Sequence, residues 1–194
     1  MRKIILSLMP VILFIACESE DDDVSIVGTW TITSFYSYED PNCTGDFQSQ
    51  IDSMEYYYGP DSEWTLEFTD NEMTQRINAT MTGEHLCNLL SESAGATGSV
   101  EGNNCVLSLD GYTISLALDT LCMDFDGGAY SSGNCSITDS ETIDYTVDGD
   151  EITITWHAGT DSVESQSGPW SISEDVLNMT TSGDYGCDVI TATK

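Results

Sequence analysis

The stretch IDYTVDGDEITITW, residues 143–156, decides the fold. Apolar and polar residues alternate in each half, which is the period of a strand with one buried face. Between the halves, Asp148-Gly149-Asp150 supplies residue types that form tight hairpin turns. We therefore predict an antiparallel β-hairpin with one apolar face.

The same arrangement, two runs of alternating apolar and polar residues separated by a turn, occurs three more times along the chain. Trp64–Phe68 returns through Met73–Ala79, Trp170–Ile172 through Leu177–Met179, and Cys105–Leu109 through Tyr112–Leu118. An opening strand over Gly28–Tyr36 and a closing strand over Cys187–Thr193 complete the set. Because closure removes exposed strand edges, we predict an all-β fold, an antiparallel up-and-down barrel of about 8–10 strands.

Three segments depart from this rhythm. Apolar residues at steps of four, three and four predict one short helix near residues 46–58, lying across a barrel end or side as a lid or plug. Its apolar positions are Phe47, Ile51, Met54 and Tyr58. Gly83–Val100 and Cys122–Ser140 are rich in Gly, Ser and acidic residues, and we predict that both are disulfide-stapled loops at the barrel mouths.

The opening strand carries the motif Gly28-Thr29-Trp30, and Gly168-Pro169-Trp170 repeats it at the predicted start of a later strand. Together with the hairpin rhythm, these GxW copies resemble the lipocalin-like domains of small bacterial lipoproteins. The resemblance implies that Trp30 packs across the closed end of the barrel and that Trp170 has a similar structural role. A glycine lets backbones approach closely and an indole fills a wide gap, so both Gly28 and Gly168 are structural candidates.

The N-terminal residues MRKIILSLMPVILFIAC have the pattern of an export signal. Two basic residues precede an apolar run over Ile4–Ile15, which is shorter than the roughly 20 residues that cross a bilayer as a helix. The run ends in a sequence that resembles the lipobox of bacterial lipoproteins. We predict that residues 1–16 are a signal peptide and that Cys17 is the lipid attachment site; the alternative is an ordinary secretory signal with an incidental cysteine.

An acidic run, Glu18–Asp23, follows the predicted lipid site. Such a run cannot pack, and it predicts a flexible tether over residues 17–24, with residues 25–194 as one barrel domain. It also resembles the signal that sends some lipoproteins to the outside of the outer membrane, although a plain spacer is the alternative. We therefore predict a lipid anchor in the outer membrane, with the cell surface and the periplasmic face as the two alternatives.

Strong acidity limits the classes of partner. The chain has 34 Asp and Glu against four Lys and Arg. Removal of residues 1–16 would leave Arg76 and Lys194 as the strong cations, a formal charge of −32. We exclude nucleic acid as a natural partner, since affinity for it depends on cations that contact phosphates. Because self-repulsion is large, we also expect ions from solution to stabilise the fold.

Six cysteines follow Cys17, and an even set in an exported chain predicts three disulfides. They are Cys43, Cys87, Cys105, Cys122, Cys135 and Cys187. Sequence leaves 15 possible connectivities open. Cys122 and Cys135 bracket a short Gly/Ser-rich segment and form the best local candidate pair. No CxxC spacing supports a zinc site.

Few residues suggest catalysis or a cofactor. The histidines are His85 and His157, and no GxSxG or HExxH pattern occurs, so we expect no enzyme activity. Alternation places His157 on the solvent side of a strand. Asp124 and Asp126 resemble the start of a calcium loop, but an acidic turn is the alternative because no Glu occupies the twelfth position. Tyr56-Tyr57-Tyr58 forms either a stacking surface for a sugar or protein, or a core contact through Tyr58.

These observations predict a membrane-anchored, exported lipoprotein whose barrel binds a small apolar or neutral ligand. The alternative is a structural or adhesive accessory of a cell-surface complex, with a filled barrel and no ligand. An open apolar interior of about 300 Å³ or more would favour the first, and a packed interior would favour the second. The sequence names no protein partner.

Overall fold

The computed structural model of this chain describes residues 25–125, 127–158, 162–184 and 186–194. The predicted signal peptide, Cys17 and the acidic tether lie outside these ranges. Strands β1 to β7 are Gly28–Tyr38, Phe47–Ser49, Glu63–Phe68, Glu72–Thr82, Thr97–Glu101, Asn104–Leu109 and Tyr112–Ala117. Strands β8 to β13 are Ala129–Ser131, Asn134–Asp148, Glu151–Ala158, Ser162–Ser173, Val176–Gly183 and Gly186–Thr193. Helices α1 to α3 are Gln50–Tyr58, Gly83–Ala94 and Leu118–Met123.

Eight strands form a closed antiparallel barrel, which confirms the predicted fold class. Their order around the barrel is β1-β3-β4-β9-β10-β11-β12-β13, and β13 pairs back onto β1. The hairpin at residues 143–156 is present as β9 and β10, with Asp148 opposite Glu151 across the turn. The hairpins β3–β4 and β11–β12 also follow the predicted pairing. The period of two in the sequence therefore identifies these strands because one face of each is buried in the barrel.

The fourth predicted hairpin exists, but it does not belong to the barrel. β6 pairs with β7 on one side and with β5 on the other, in a separate three-stranded sheet. The alternation gives the hairpin correctly but does not specify which sheet it joins. The barrel pairing instead passes from β4 directly to β9, across the intervening residues 83–133, which we call the insert.

The loop predictions for Gly83–Val100 and Cys122–Ser140 are largely wrong. The first segment contains α2 and β5, and the second contains the end of α3, β8 and the start of β9. Helix α2 begins where the Thr82 hydroxyl accepts a hydrogen bond from the His85 backbone N–H at 3.1 Å, and it ends at Gly95 in the left-handed conformation (φ 62°). In Gly83–Val100, some of the polar and small residues that suggested a loop cap α2, and others lie on one face of this packed helix.

The two ends of the barrel differ. One end, which we call the base, carries Ser25, Lys194 and the turns at residues 69–71, 149–150 and 174–175. The opposite end, which we call the crown, carries the connection 39–62 with α1 and the whole insert. Helix α1 forms near the predicted range and packs on β1 and β4, with Met54 buried. Phe47 is an exception to the predicted helix face, since it lies in β2 and is exposed.

Two hydrophobic cores hold the molecule together. The barrel core contains fourteen buried residues, including Trp30, Leu66, Phe68, Tyr145 and Met179. The insert core contains ten, including Met81, Leu86, Leu118 and Ile137. Because Met81 and Ile137 belong to the barrel strands β4 and β9, the insert packs directly on the barrel wall.

Three disulfides are present among the six predicted cysteines, and Cys122–Cys135 is one of them, as predicted. Cys43–Cys187 connects the segment after β1 with the start of β13, 144 residues apart in sequence. Cys87–Cys105 fastens α2 to β6 within the insert. Two of the three disulfides therefore stabilise the insert and its junction with β9.

Candidate functional site

The barrel interior, the first place to look for a ligand site, is occupied by the side chains of the barrel core. Trp30, Phe68, Leu66, Ile152 and Leu177 are each at most 2% exposed. The Phe68 and Tyr145 rings meet edge to face with centroids 5.1 Å apart, and the Tyr145 hydroxyl donates to the Thr69 carbonyl at the base. This packing is the arrangement that a filled barrel requires.

Trp30 lies inside the base of the barrel. Its indole N–H donates to the Ile26 carbonyl at 2.8 Å, and the Lys194 ammonium lies 4.6 Å from the ring centroid. Gly28 precedes it with φ +133°, a backbone conformation that residues with a Cβ rarely adopt. The first GxW motif is therefore a structural element that connects the first strand to the last residue of the chain.

The second GxW motif also lies at the base, but it does not open a strand. Trp170 occurs near the end of β11, partly buried against the barrel core, and its indole N–H donates to the Gly149 carbonyl at 3.2 Å. A Cβ on Gly168 would collide with the Thr180 carbonyl oxygen on the neighbouring strand. The prediction of a strand start here was wrong, since the pairing of β11 with β10 continues back across Pro169 to Ser162.

Polar groups line the barrel interior toward the crown. The Ser37 hydroxyl donates to Asp188 at 2.7 Å, and the Thr181 hydroxyl donates to Gln166 at 3.0 Å. Burial raises the pKa of Asp188, although hydrogen bonds from Ser37 and Gln166 oppose this shift. Every polar group of this cluster named here has a partner within it, so the cluster is a satisfied network and not a vacant binding site.

An apolar groove of about 540 Å³ lies outside the barrel, among the three helices. It is lined by Tyr56, Tyr57, Leu86, Leu89, Leu90, Glu92, Ser93, Leu121, Asp124 and Phe125. Its volume falls within the range of small-molecule sites, and its walls are mainly aliphatic and aromatic. This interhelical groove is therefore the candidate functional site.

Helix α2 forms the floor of the interhelical groove. Its Cys87 and Ser91 are buried, and the Ser91 side chain lies so close to Gly98 of β5 that a Cβ there would be 2.9 Å away. Leu89 and Leu90, both partly buried, line the groove together with the buried Leu86. The helix is thus fixed to the three-stranded sheet on one side, which leaves an ordered row of leucines on the other.

Aromatic residues of α1 and the end of α3 form the walls of the interhelical groove. Tyr56 and Tyr57 are 51% and 55% exposed, and their rings meet edge to face at 5.1 Å. The Tyr56 hydroxyl donates to the Glu92 carboxylate at 2.6 Å, and this bond raises the pKa of Tyr56. Tyr58 instead packs against the insert core and meets Phe125 at 6.1 Å. The tyrosine run therefore divides, with one core residue and two groove residues.

Apart from Asp124, the other predicted site residues that the structure describes do not line the groove. His85 lies in the first turn of α2, and its Nε2 is buried with no hydrogen-bond partner among the described residues. His157 lies in β10, whereas the calcium candidate Asp126 lies outside the described residues. Its partner candidate Asp124 is exposed at the groove rim.

Two further findings concern metals and membranes. Within the ranges that the structure describes, no group of three or more His, Cys, Asp and Glu side chains is placed to hold a metal ion. None of the helices in those ranges has the length and apolar character needed to cross a membrane.

Sequence reasoning missed the interhelical groove. Leu86, Leu89, Leu90 and Ser93 fall at helical spacing, and this spacing could have indicated a helix with an apolar face. The convergence of α1 and α3 on that face has no such signal, because it depends on packing between distant segments. Comparisons of this chain with protein-family models, with curated proteins and with solved structures give no match.

Proposed function

We propose that this chain is an exported, lipid-anchored protein that binds a small, mainly apolar ligand in the interhelical groove. The observation that carries the proposal is the groove itself, about 540 Å³ with leucine and aromatic walls. The packed barrel core is the reason for placing the ligand at the crown instead of in the barrel. In this proposal the lipocalin-like barrel serves as the scaffold that holds the insert.

The proposed anchor and the proposed site lie at opposite ends of the barrel. The described chain begins at Ser25 at the base, and the insert lies at the crown. A tether ending at Cys17 would therefore hold the base toward the membrane and leave the groove facing away from it. Three disulfides are consistent with an oxidising compartment outside the cytoplasm.

A dye-binding titration tests the ligand proposal. Purified chain carrying Cys17→Ser is titrated with N-phenyl-1-naphthylamine, a neutral dye that fluoresces in apolar sites, and we expect saturable binding of one dye per chain. Ser93→Trp places an indole in the groove and should abolish this signal. Asn88→Trp adds the same bulk at an exposed position of α2 that does not line the groove, and it should leave binding intact. Equal binding by both variants would refute the groove as the site.

The anchor is tested separately by metabolic labelling with a radioactive fatty acid. We expect label on the wild-type chain and none on Cys17→Ser. Label on the Cys17→Ser chain, or its absence from the wild-type chain, would disprove the anchor.

A structural or adhesive role in a surface complex is the second candidate, and two observations favour it. The first is the packed barrel core. The second is the tip of the β6–β7 hairpin, where Leu109, Tyr112 and Ile114 are 44%, 78% and 54% exposed on one face of the sheet. Absence of dye binding together with loss of surface assembly on Tyr112→Ser would favour this role over ligand binding.

A further inference from the structure

The interhelical groove has one sign of charge. Its ten lining residues include the carboxylates of Glu92 and Asp124 and include no Lys, Arg or His. The described cations lie elsewhere, since Arg76 belongs to β4 and Lys194 lies over Trp30 at the base. A concave site lined by one sign of charge concentrates the field of the whole molecule, which here is strongly negative.

Helix ends add to the negative potential of the interhelical groove. Tyr56 and Tyr57 lie in the last turn of α1, Glu92 and Ser93 in the last turn of α2, and Asp124 caps the end of α3. A helix C-terminus carries a partial negative charge, and none of these three helices has a basic residue in its last turn. Three helix C-termini without a basic residue in the last turn therefore lie around one apolar site.

The aromatic walls suit the same kind of ligand. Tyr56, Tyr57 and Phe125 line the groove, and the faces of aromatic rings attract organic cations. The bond from the Tyr56 hydroxyl to Glu92 holds that carboxylate at the rim and keeps it as an acceptor. An apolar body against the leucines and a positive group near Glu92 and Asp124 would satisfy both parts of the site.

We infer that the groove selects a ligand with a positively charged amine or quaternary ammonium group on an apolar body. This inference depends on the proposed function, because it names the class of ligand for the same groove. Fatty acids and other apolar anions are disfavoured by both carboxylates and by the three helix ends.

Three probes with the same ten-carbon chain test the inference: decyltrimethylammonium, 1-decanol and decyl sulfate, each below its micelle-forming concentration. Each probe competes with N-phenyl-1-naphthylamine for the Cys17→Ser chain at low salt. We expect decyltrimethylammonium to bind about 5- to 30-fold more tightly than decanol, and decyl sulfate more weakly than decanol. Tetramethylammonium at equal concentration controls for general association of cations with an acidic protein.

Two double variants that remove the same charge test whether the preference for the cation over decanol depends on the groove carboxylates. Glu92→Gln with Asp124→Asn should reduce the preference for the cation over decanol to within about twofold. Glu67→Gln with Glu151→Gln removes the same charge from exposed strand positions outside the groove and should keep the preference. Thermal melts of both double variants check that each is folded.

The outcomes separate the two proposals. Binding of decanol as tight as that of the cation, or an unchanged preference in the groove variant, would overturn the charge inference while leaving the groove as a ligand site. If neither the dye nor any of the three probes binds, the proposed function fails and the inference fails with it.

Discussion

Replacing Trp30 by alanine tests whether the first GxW motif supports the barrel from its base. The side chain is 0% exposed, and its indole N–H donates to the Ile26 carbonyl at 2.8 Å. Truncating a fully buried Trp to Ala costs about 3–5 kcal/mol, and the lost hydrogen bond places this case in the upper half of that range. For a domain of this size, about 4–5 kcal/mol corresponds to a fall in Tm of about 8–20 °C, measured by circular dichroism.

Trp170→Ala is the matched control for this prediction. It removes the same side chain at the same end of the barrel, but Trp170 is only partly buried and its indole N–H donates at the longer distance of 3.2 Å. The smaller buried area predicts a loss of about 1–2 kcal/mol, or about 2–8 °C in Tm. Equal losses in the two variants, or a larger loss for Trp170→Ala, would refute the reasoning from burial.

Three further predictions concern charge and covalent links. Asp188→Asn should raise Tm at pH 7 but hardly at pH 3. Burial raises the pKa of Asp188 above its ordinary 3.8, so folding favours the protonated carboxyl group. The wild-type chain therefore loses stability as pH rises through the raised pKa, and the Asn variant does not. A Tm difference between variant and wild type that stays constant with pH would contradict this. Replacing Cys43 and Cys187 by alanine should cost about 5 kcal/mol, against about 3 kcal/mol for Cys122 and Cys135, because the linked residues are 144 and 13 positions apart. Urea unfolding gives both values, and equal values would argue against a chain-entropy origin. Added NaCl or CaCl₂ should raise the Tm of the wild-type chain, because the chain has 34 acidic and four basic residues and ions screen the repulsion among the carboxylates. An unchanged Tm in both salts would oppose this expectation.

Local patterns predicted the barrel strands because the alternation of apolar and polar residues within each strand matches the alternation of its buried and exposed side chains. In residues 143–156, Ile143, Tyr145, Ile152 and Ile154 are buried, and the residues between them face outward or are less buried. The same pattern in Cys105–Leu118 gave a correct hairpin and the wrong sheet. The membership of a sheet depends on pairing such as β4 with β9, which crosses the whole insert and leaves no local signal.

The helical insert was harder to predict because two kinds of burial overlap in α2. Cys87 and Ser91 are buried on the side of the three-stranded sheet, whereas Leu89 and Leu90 line the groove. Leu86 belongs to the insert core and also borders the groove, so the apolar residues do not form a single stripe. The tyrosine run gives a similar lesson. Tyr58 follows the predicted core contact, but Tyr56 and Tyr57 become groove residues only because α2 and α3 lie beside them.

The Cys43–Cys187 bond makes most of the chain a covalent circle. Every peptide bond between residues 43 and 187 lies inside that circle, including all those of the insert. A single proteolytic cut between residues 43 and 187 would therefore leave one continuous molecule, in which the N-terminal segment stays attached to the last strand through sulfur. If the proposed lipid anchor holds the N-terminus at a membrane, a crown cut within this circle would not be shed into the surroundings until a reductant opened the circle.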